Sequence, residues 1–342
     1  MKLTFEPYNL HLRHTFTISR SSRDIEPCVL VRLEHDGMVG YGEAAPSERY
    51  GETPESVVAF LKKTDLSRFD DPSRLDEILA YIHGLAAGNS AAKAAIDLAL
   101  HDWIGKRLNV PLWKMWGLDN RATPKTSFTI GIDSLDVIEQ KVREAEPYPI
   151  LKVKVGIAND EEIIRTIRRV TDKVIRVDAN EGWKSKEIAR DKILWLEENG
   201  VEFVEQPMPA GNLDDIGWLR QQVHIPLIAD ESVVRLSDIP KIAGAFDGIN
   251  IKLMKSTGLR EALRMIHTAK ALGLSVMLGC MIETSIAISA AAQLSPMADY
   301  ADLDGNVLIT NDPFDGVKLS DGKLILNDFP GLGVAPKPIG TQ

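Results

Sequence analysis

Hydrophobic and polar positions alternate with period two over roughly the first 45 residues and then change to a helical period. Val29, Val31 and Leu33 share one face of a strand, and the turn residues 35–37 (His-Asp-Gly) lead into a second strand. The alanine-rich stretch that begins at Ser90 has the apolar spacing of a long helix. Strands followed by helices in this order indicate an α+β domain.

From about residue 126 onward, short apolar runs alternate with amphipathic segments of helix length. Eight runs begin 24, 24, 29, 24, 21, 27 and 25 residues apart, which predicts a repeated strand–helix unit. The predicted strands are 126–131, 150–156, 174–180, 203–207, 227–231, 248–253, 275–280 and 300–304. Eight even repeats, without a glycine-rich phosphate loop after the first strand, favour a parallel (β/α) barrel over an open doubly wound sheet.

The change of pattern divides the chain into three parts. We expect an α+β domain over residues 1–122 and a barrel over residues 123–310. The remaining segment, residues 311–342, leaves little room for an eighth helix and carries turn signals such as Asn-Asp-Pro. We expect this segment to return and pack on the first domain.

Charged and polar side chains fall at the carboxyl ends of most predicted strands, where barrel enzymes place their active sites. Burying a charge in an apolar strand is costly unless the charge is paired. A structural ion pair would explain any one of these residues, but not charges at six of eight strand ends. The strand ends carry Lys152, Lys154, Asp178, Asn180, Glu205, Asp230, Glu231, Lys252, Asp302 and Asp304.

Asp178, Glu205 and Asp230 come from three consecutive strands, so we expect them to be neighbours. Three carboxylates at close range repel one another and take up protons unless a cation lies among them. Oxygen ligands favour a hard ion, and Mg²⁺ is the first choice. The absence of His and Cys at these positions argues against zinc, whereas Mn²⁺ remains an alternative.

Lys154 and Lys252 belong to predicted strands 2 and 6, so they should face each other across the mouth of the barrel. A divalent cation and the neighbouring Lys152 would lower the pKa of such a lysine toward that of a general base. Two bases on opposite faces of one carbon, beside a metal that binds an oxyanion, suit proton transfer α to a carboxylate. Inversion of a stereocentre is the simplest outcome, but dehydration and cycloisomerisation could use the same groups.

These residues resemble the signature of the enolase superfamily, in its muconate-lactonizing-enzyme-like subgroup, over essentially the whole chain. The matching segments are Lys152-Val-Lys154, Asp178-Ala-Asn180, Glu205-Gln-Pro207, Asp230-Glu231, Asn250-Ile-Lys252 and the helix 94–117. The resemblance implies an α/β fold class: a modified TIM barrel, (β/α)7β, with an α+β N-terminal capping domain that the C-terminal tail completes. It also implies site residues: Lys154 and Lys252 as the acid/base pair, Asp178, Glu205 and Asp230 as Mg²⁺ ligands, and Asn180 and Glu231 behind them.

The eighth strand adds information about the substrate. Asp302-Leu-Asp304 is similar to the Asp-x-Asp motif of the dipeptide epimerases of this subgroup. Two carboxylates on one side of a strand suit the free α-ammonium of a dipeptide, although they could also cap a helix or loop. The implied reaction inverts the α-carbon of the C-terminal residue of L-Ala-D/L-Glu or a related L-Ala-D/L-Xaa, as in murein peptide recycling. An N-acylamino-acid racemase or an o-succinylbenzoate synthase, whose substrates lack that ammonium, is the alternative.

Further residues are expected to contact the substrate: Thr129, Lys152, Cys280, Met281 and Glu283. Family members that act on acidic dipeptides bind the side-chain carboxylate with an arginine from a capping-domain loop. The candidates here are Arg20, Arg23 and Arg49, and we assign the role to Arg23. Because none occupies the matching place without a shift of the loop, the side-chain preference stays open.

Composition and charge limit the classes of molecule that the protein is expected to bind and the compartment in which it is expected to act. The 342 residues carry 40 basic and 49 acidic side chains, and the net charge of −9 argues against a nucleic-acid or anionic-membrane partner. Cys28 and Cys280 are far apart, which is typical of a reducing cytoplasm, and the first residues lack the apolar region of a signal peptide. We expect a cytoplasmic enzyme with a small dipeptide substrate, and a homo-oligomer is compatible with this sequence. A non-catalytic binding protein that keeps the fold is the remaining alternative.

Overall fold

The computed structural model describes residues 1–338 and begins with an antiparallel sheet. The sheet consists of β1 (Lys2–Ile18), β2 (Ser21–His35) and β3 (Met38–Ala44), and the helices α1 (Pro54–Lys63), α2 (Leu75–Leu85), α3 (Ser90–Leu108) and α4 (Leu112–Met115) follow. Gly40 and Gly42 on β3 let the sheet approach the backbone of α3 at Ala99 and Ala95. A Cβ atom at either glycine would overlap those carbonyl oxygens, so the close packing of this unit requires glycine.

Eight parallel strands follow in sequential order, as the repeat predicts. They are β4 (Phe128–Ile130), β5 (Ile150–Lys154), β6 (Val174–Asp178), β7 (Val201–Glu205), β8 (Leu227–Ala229), β9 (Gly248–Lys252), β10 (Ser275–Gly279) and β11 (Tyr300–Asp302). The last strand returns to the first, because Ser127 N donates to Ala301 O (3.2 Å) and Thr126 forms a parallel bridge with Ala301. The fold class is confirmed: the molecule contains a modified TIM barrel beside an α+β unit.

Helices cover the outside of the barrel. They are α5 (Leu135–Glu144), α6 (Asp160–Val170), α7 (Lys186–Glu198), α8 (Leu213–Arg220), α9 (Ile239–Ile242), α11 (Leu259–Ala271) and α12 (Ser285–Leu294), whereas the short α10 (Leu253–Ser256) follows β9 at the rim and packs against α3. Because side chains fill the barrel inside and helices cover it outside, β5 and β9 are buried at every position. None of the helices within residues 1–338 combines the length and the hydrophobicity needed to cross a membrane.

The strand register brings the polar strand ends to one rim. Lys154 pairs with Asp178, and Asp178 pairs in turn with Glu205. On the other side of the barrel, Gly279 is level with both Lys252 and Asp302. Residues as far as 150 positions apart in sequence, such as Lys152 and Asp302, are therefore assembled at the carboxyl end of the barrel.

After β11 the chain forms short strands: β12 (Phe314–Asp315), β13 (Lys318–Ser320), β14 (Lys323–Ile325) and β15 (Ala335–Pro336). This tail contacts the first unit, since Thr310 N donates to His11 O (2.9 Å) and Leu332 N donates to Asp102 Oδ1 (2.9 Å). The domain limits at residues 122 and 310 stay predictions, and the last four residues of the third segment, 339–342, lie outside the described residues.

Candidate active site

Three carboxylates meet at the rim of the barrel. Asp178 ends β6, Glu205 ends β7, and Asp230 directly follows β8. One oxygen from each lies within 4.8 Å of the other two, and the three residues are at most 1% exposed. The parallel register of the three strands produces this cluster, because it holds their carboxyl ends level.

The donor set of this cluster fits a hard divalent cation. Glu205 accepts a hydrogen bond from Asn250 Nδ2 at Oε1 (2.8 Å), whereas its buried Oε2 lies 2.7 Å from Lys152 Nζ without the alignment of a hydrogen bond. Burial and the charge of Asp178 raise the pKa of Glu205 to about 7. A cation bound by the three carboxylates would relieve this repulsion, and carboxylate oxygens are the ligands that Mg²⁺ prefers.

Lys154 and Lys252 approach the cluster from opposite sides of the barrel. Lys154 Nζ donates to Asp178 Oδ2 (2.6 Å) and Lys252 Nζ donates to Asp230 Oδ2 (2.8 Å). Burial is the largest single influence on the pKa of Lys252 and lowers it, but the charges of Asp230, Glu205 and other neighbours together raise that pKa above its ordinary value. The lowered lysine pKa expected beside a bound divalent cation stays a prediction; among the protein groups alone, the carboxylates stabilise the ammonium form of Lys252.

Lys152 lies below the two other lysines and connects three carboxylates. Its Nζ atom is 2.7 Å from Glu205 Oε2, 3.1 Å from Asp178 Oδ2 and 2.7 Å from Asp302 Oδ2. Although burial opposes it, the charges of these carboxylates raise the pKa of Lys152 well above the ordinary value. Lys152 is thus a permanent cation that partly neutralises the site.

Sequence reasoning missed Lys255, a fourth buried lysine in this site. Its Nζ donates to Asp230 Oδ1 (2.5 Å) and also to the carbonyl oxygens of Asp230, Val233 and Asn250, at 2.6, 3.0 and 3.1 Å. Its position three residues after Lys252, directly after the apolar pair Leu253-Met254, was the available signal. Lys255 ties the loop after β8 to α10 and orients the Asp230 carboxylate.

Asp302 and Asp304 both line the cavity, but they differ in their partners. Asp302 is bonded through both oxygens, to Ser127 Oγ (2.6 Å) and to Lys152 Nζ (2.7 Å). Asp304 Oδ2 accepts a hydrogen bond from Thr129 N (2.6 Å), and burial together with the charge of Asp302 raises its pKa to about 7. Asp304 is therefore more available than Asp302 to bind a substrate cation, a difference between the two residues that the motif did not indicate.

A cavity of about 360 Å³ joins the rim of the barrel to the capping loops. Among the expected site residues it is lined by Thr129, Lys152, Lys154, Asn180, Lys252, Cys280, Met281, Asp302, Asp304, Arg20, Arg23 and Arg49. Glu283 does not line it, because its Oε1 accepts a hydrogen bond from Met281 N (3.0 Å) below the surface. Glu231 also lies outside the lining, where it contacts Arg20 and Asn180.

The three capping-loop arginines each have a carboxylate partner. Arg20 Nη2 contacts Glu231 Oε1 (2.8 Å), and its Nη1 donates to Asn180 O (3.1 Å). Arg49 binds both oxygens of Glu181 at 2.8 Å. Arg20 and Arg49 therefore hold the capping loops to the loops that follow β6 and β8. Arg23 instead pairs within its own unit, with Glu26.

Sequence reasoning also missed Glu43, a fully buried carboxylate at the junction of the two units. Glu43 is the next-to-last residue of β3. It accepts hydrogen bonds from Thr284 N (2.8 Å), Thr284 Oγ1 (2.5 Å) and Ala287 N (3.3 Å) at the start of α12. Nothing in its neighbouring sequence indicates this partner, which is 241 positions away.

Two family models together match most of the chain. The mandelate racemase/muconate lactonizing enzyme N-terminal domain matches residues 3–117, and the enolase C-terminal domain-like model matches residues 136–339.

Individual relatives agree with the family models. The chain is 56% identical to an L-Ala-D/L-Glu epimerase of Bacteroides thetaiotaomicron, over 98% of this chain and 88% of the relative. It is 43% identical to an L-Ala-D/L-amino acid epimerase of Pedosphaera parvula, over 100% and 99% of the two chains. A solved dipeptide epimerase from Cytophaga hutchinsonii, complexed with Mg and the dipeptide D-Ala-L-Val, superimposes with a TM-score of 0.92 at 27% identity, over 99% and 96% of the two chains.

Proposed function

We propose that this chain, which belongs to the mandelate racemase/muconate lactonizing enzyme family of the enolase superfamily, is a Mg²⁺-dependent dipeptide epimerase. It would invert the α-carbon of the C-terminal residue of L-Ala-D/L-Glu or a related L-Ala-D/L-Xaa. One observation carries the proposal: Lys154 and Lys252, from opposite sides of the barrel, line one cavity and each contacts a carboxylate of the buried cluster. This arrangement suits two-base proton transfer at a single carbon.

In this mechanism one lysine, as the neutral amine, removes the α-proton, and the other, as an ammonium, donates a proton to the opposite face. Because Lys154 and Lys252 come from strands four positions apart in the ring of eight, each has access to one face of a substrate lying between them. Asp178, Glu205 and Asp230 would hold Mg²⁺, which would supply positive charge beside the substrate carboxylate, where negative charge develops.

Asp304 and Asp302 would bind the free α-ammonium of the dipeptide. This role is supported by their place on the cavity wall and by the shift in the pKa of Asp304, which a cationic partner would reverse. An N-acylamino acid would leave this buried carboxylate without a cation, so the racemase alternative is not favoured. Thr129, Cys280 and Met281 would complete the wall around the N-terminal residue.

The capping loops would close over the side chain of the reacting residue, with Arg23 as the candidate receptor for a carboxylate. The name of the Bacteroides relative supports an acidic side chain, and the name of the Pedosphaera relative supports a broader range. We also propose a cytoplasmic location, which the free thiols of Cys28 and Cys280 support. A role in murein peptide recycling would follow from an L-Ala-D-Glu substrate, which the name of the Bacteroides relative supports.

The proposal is tested with L-Ala-D-Glu and other L-Ala-D-Xaa dipeptides in D₂O with Mg²⁺. Mass spectrometry should detect one deuterium at the α-carbon of the C-terminal residue, together with formation of the other epimer. The variants Lys154→Ala and Lys252→Ala should each stop epimerisation while still exchanging the α-proton of one epimer, and the two variants should prefer opposite epimers. If each single variant interconverts the epimers at nearly the wild-type rate, the two-base mechanism is wrong.

A further inference from the structure

The wall of the cavity formed by the capping unit contains an ion pair whose acidic member, Glu26, has no role in the proposed chemistry. Arg23 Nη1 lies 2.8 Å from Glu26 Oε1 and 2.6 Å from Glu26 Oε2, and both residues line the cavity. The side chain of Glu26 is 10% exposed, whereas that of Arg23 is 38% exposed. A largely buried carboxylate is thus paired with the cation that a substrate would meet.

This pair differs from the two other arginine–carboxylate pairs around the cavity. Arg20 and Arg49 reach across to Glu231 and Glu181, which belong to the barrel, so their carboxylate partners hold the two units together. Arg23 and Glu26 lie on the same β1–β2 hairpin, three residues apart. Their pairing makes no link between units, so its effect is on the charge of the cavity wall.

The charge of Glu26 opposes binding of an anionic side chain at Arg23. A carboxylate that approaches a free arginine meets one positive charge, but here it meets a pair whose net charge is zero. A neutral side chain loses less binding free energy when Glu26 pairs with Arg23, because its interactions with the cavity wall depend on packing and hydrogen bonds and not on net charge. The pair therefore reduces the discrimination between acidic and neutral side chains.

We propose that Glu26 is a specificity-determining residue: by offsetting the charge of Arg23, it lets the cavity accept neutral as well as acidic side chains at the C-terminal residue of the substrate. This inference rests on the proposed dipeptide epimerase function. Glu26 makes no contact with the reacting carbon in this scheme, so its removal changes the choice of substrate and leaves the proton-transfer groups in place.

The test compares L-Ala-D-Glu with L-Ala-D-Gln, which have nearly the same shape and differ in charge. The ratio of their kcat/KM values is measured for the wild type, for Glu26→Gln and for Glu34→Gln. Glu34 is a matched control, because it lies on the same strand and pairs with Arg32 (3.4 Å) outside the cavity. We expect E26Q to raise the Glu/Gln ratio about tenfold, as expected for removal of one nearby charge from a partly buried site, and E34Q to leave the ratio unchanged.

A second variant tests the same pair from the other side. Arg23→Gln should lower the Glu/Gln ratio below that of the wild type, because the charge of Glu26 then acts alone. A ratio that E26Q leaves unchanged or lowers, in a protein with the wild-type circular dichroism spectrum, would overturn the inference while leaving the epimerase function intact. Absence of deuterium incorporation into every dipeptide by the wild type would instead overturn the proposed function itself.

Discussion

Replacement of Glu43 by glutamine should change how the stability of the protein depends on pH. Glu43 is 0% exposed and joins β3 of the capping unit to the start of α12 in the barrel. Burial raises its pKa to about 7, although hydrogen bonds from Thr284 and Ala287 oppose the shift. Glutamine has nearly the same shape but cannot ionise, so E43Q removes the titration and keeps most of the packing.

The sign and size of the effect follow from the two pKa values. The unfolded chain has an ordinary glutamate pKa of about 4.3 to 4.5. A carboxyl whose pKa is higher in the folded state contributes its full stability below the unfolded pKa. That contribution is lost as the pH rises toward the folded pKa. Since one pKa unit corresponds to about 1.4 kcal/mol, the wild type should lose about 2 to 3 kcal/mol relative to E43Q between pH 5 and pH 8.

Urea unfolding followed by tryptophan fluorescence at pH 5, 6, 7 and 8 measures this difference. The variant Glu161→Gln, at an exposed position on α6 that pairs with Arg165, is a control that should follow the wild type at every pH. The difference in unfolding free energy between wild type and E43Q could instead stay constant over this range. In that case the backbone N–H groups at the start of α12 stabilise the ionised carboxylate at least as much as burial destabilises it. That result would refute the assignment of a raised pKa to Glu43.

Three further predictions concern the active site and the capping loops. Asp304→Asn should raise KM for L-Ala-D-Glu at least tenfold with a smaller change in kcat, because the ammonium loses its free carboxylate; steady-state kinetics measure both. Dialysis against EDTA should abolish deuterium incorporation and added Mg²⁺ should restore it, whereas Asp178→Asn should stay inactive at the same Mg²⁺ concentration. Arg49→Ala should shift the unfolding free energy by less than about 1 kcal/mol, since its pair with Glu181 is partly exposed and such pairs contribute little; urea unfolding checks this.

The strands of the barrel could be predicted from the sequence because each has a strong local signal. A parallel strand buried on both faces appears as a short apolar run, and a charge at its end marks the rim. The run predicted at 150–156 is β5, Ile150–Lys154, and the run at 248–253 is β9, Gly248–Lys252. The metal-ligand candidates followed from the same logic, since neighbouring parallel strands place their carboxyl ends side by side.

Contacts between distant residues had no such signal. Lys152 and Asp302 are 150 positions apart, so the sequence could not indicate that this pairing leaves Asp304 as the more available carboxylate. The role of Lys255 depends on how α10 turns after β9, and periodicity does not specify that turn. The pairing of Arg23 with Glu26 is local, but side chains three residues apart on a strand are expected on opposite faces, so the spacing did not indicate this pair either.

The contacts between the capping unit and the rest of the chain are of two kinds. Buried bonds hold its core: Glu43 binds the start of α12, Asp97 Oδ1 accepts from Leu259 N (2.5 Å), and Asp102 is bonded to the returning tail. Removing a hydrogen-bond partner from one of these buried carboxylates lowers the unfolding free energy by about 1 to 3 kcal/mol for each group left without a partner. The loops over the cavity are held by Arg20 and Arg49, whose side chains are 35% and 37% exposed, through Glu231 and Glu181, whose side chains are 0% and 12% exposed. Arg23 and Glu26 pair with each other and not with the barrel, whereas Lys154 and Lys252 belong to barrel strands. A change in side-chain preference at Glu26 therefore need not disturb the geometry of proton transfer.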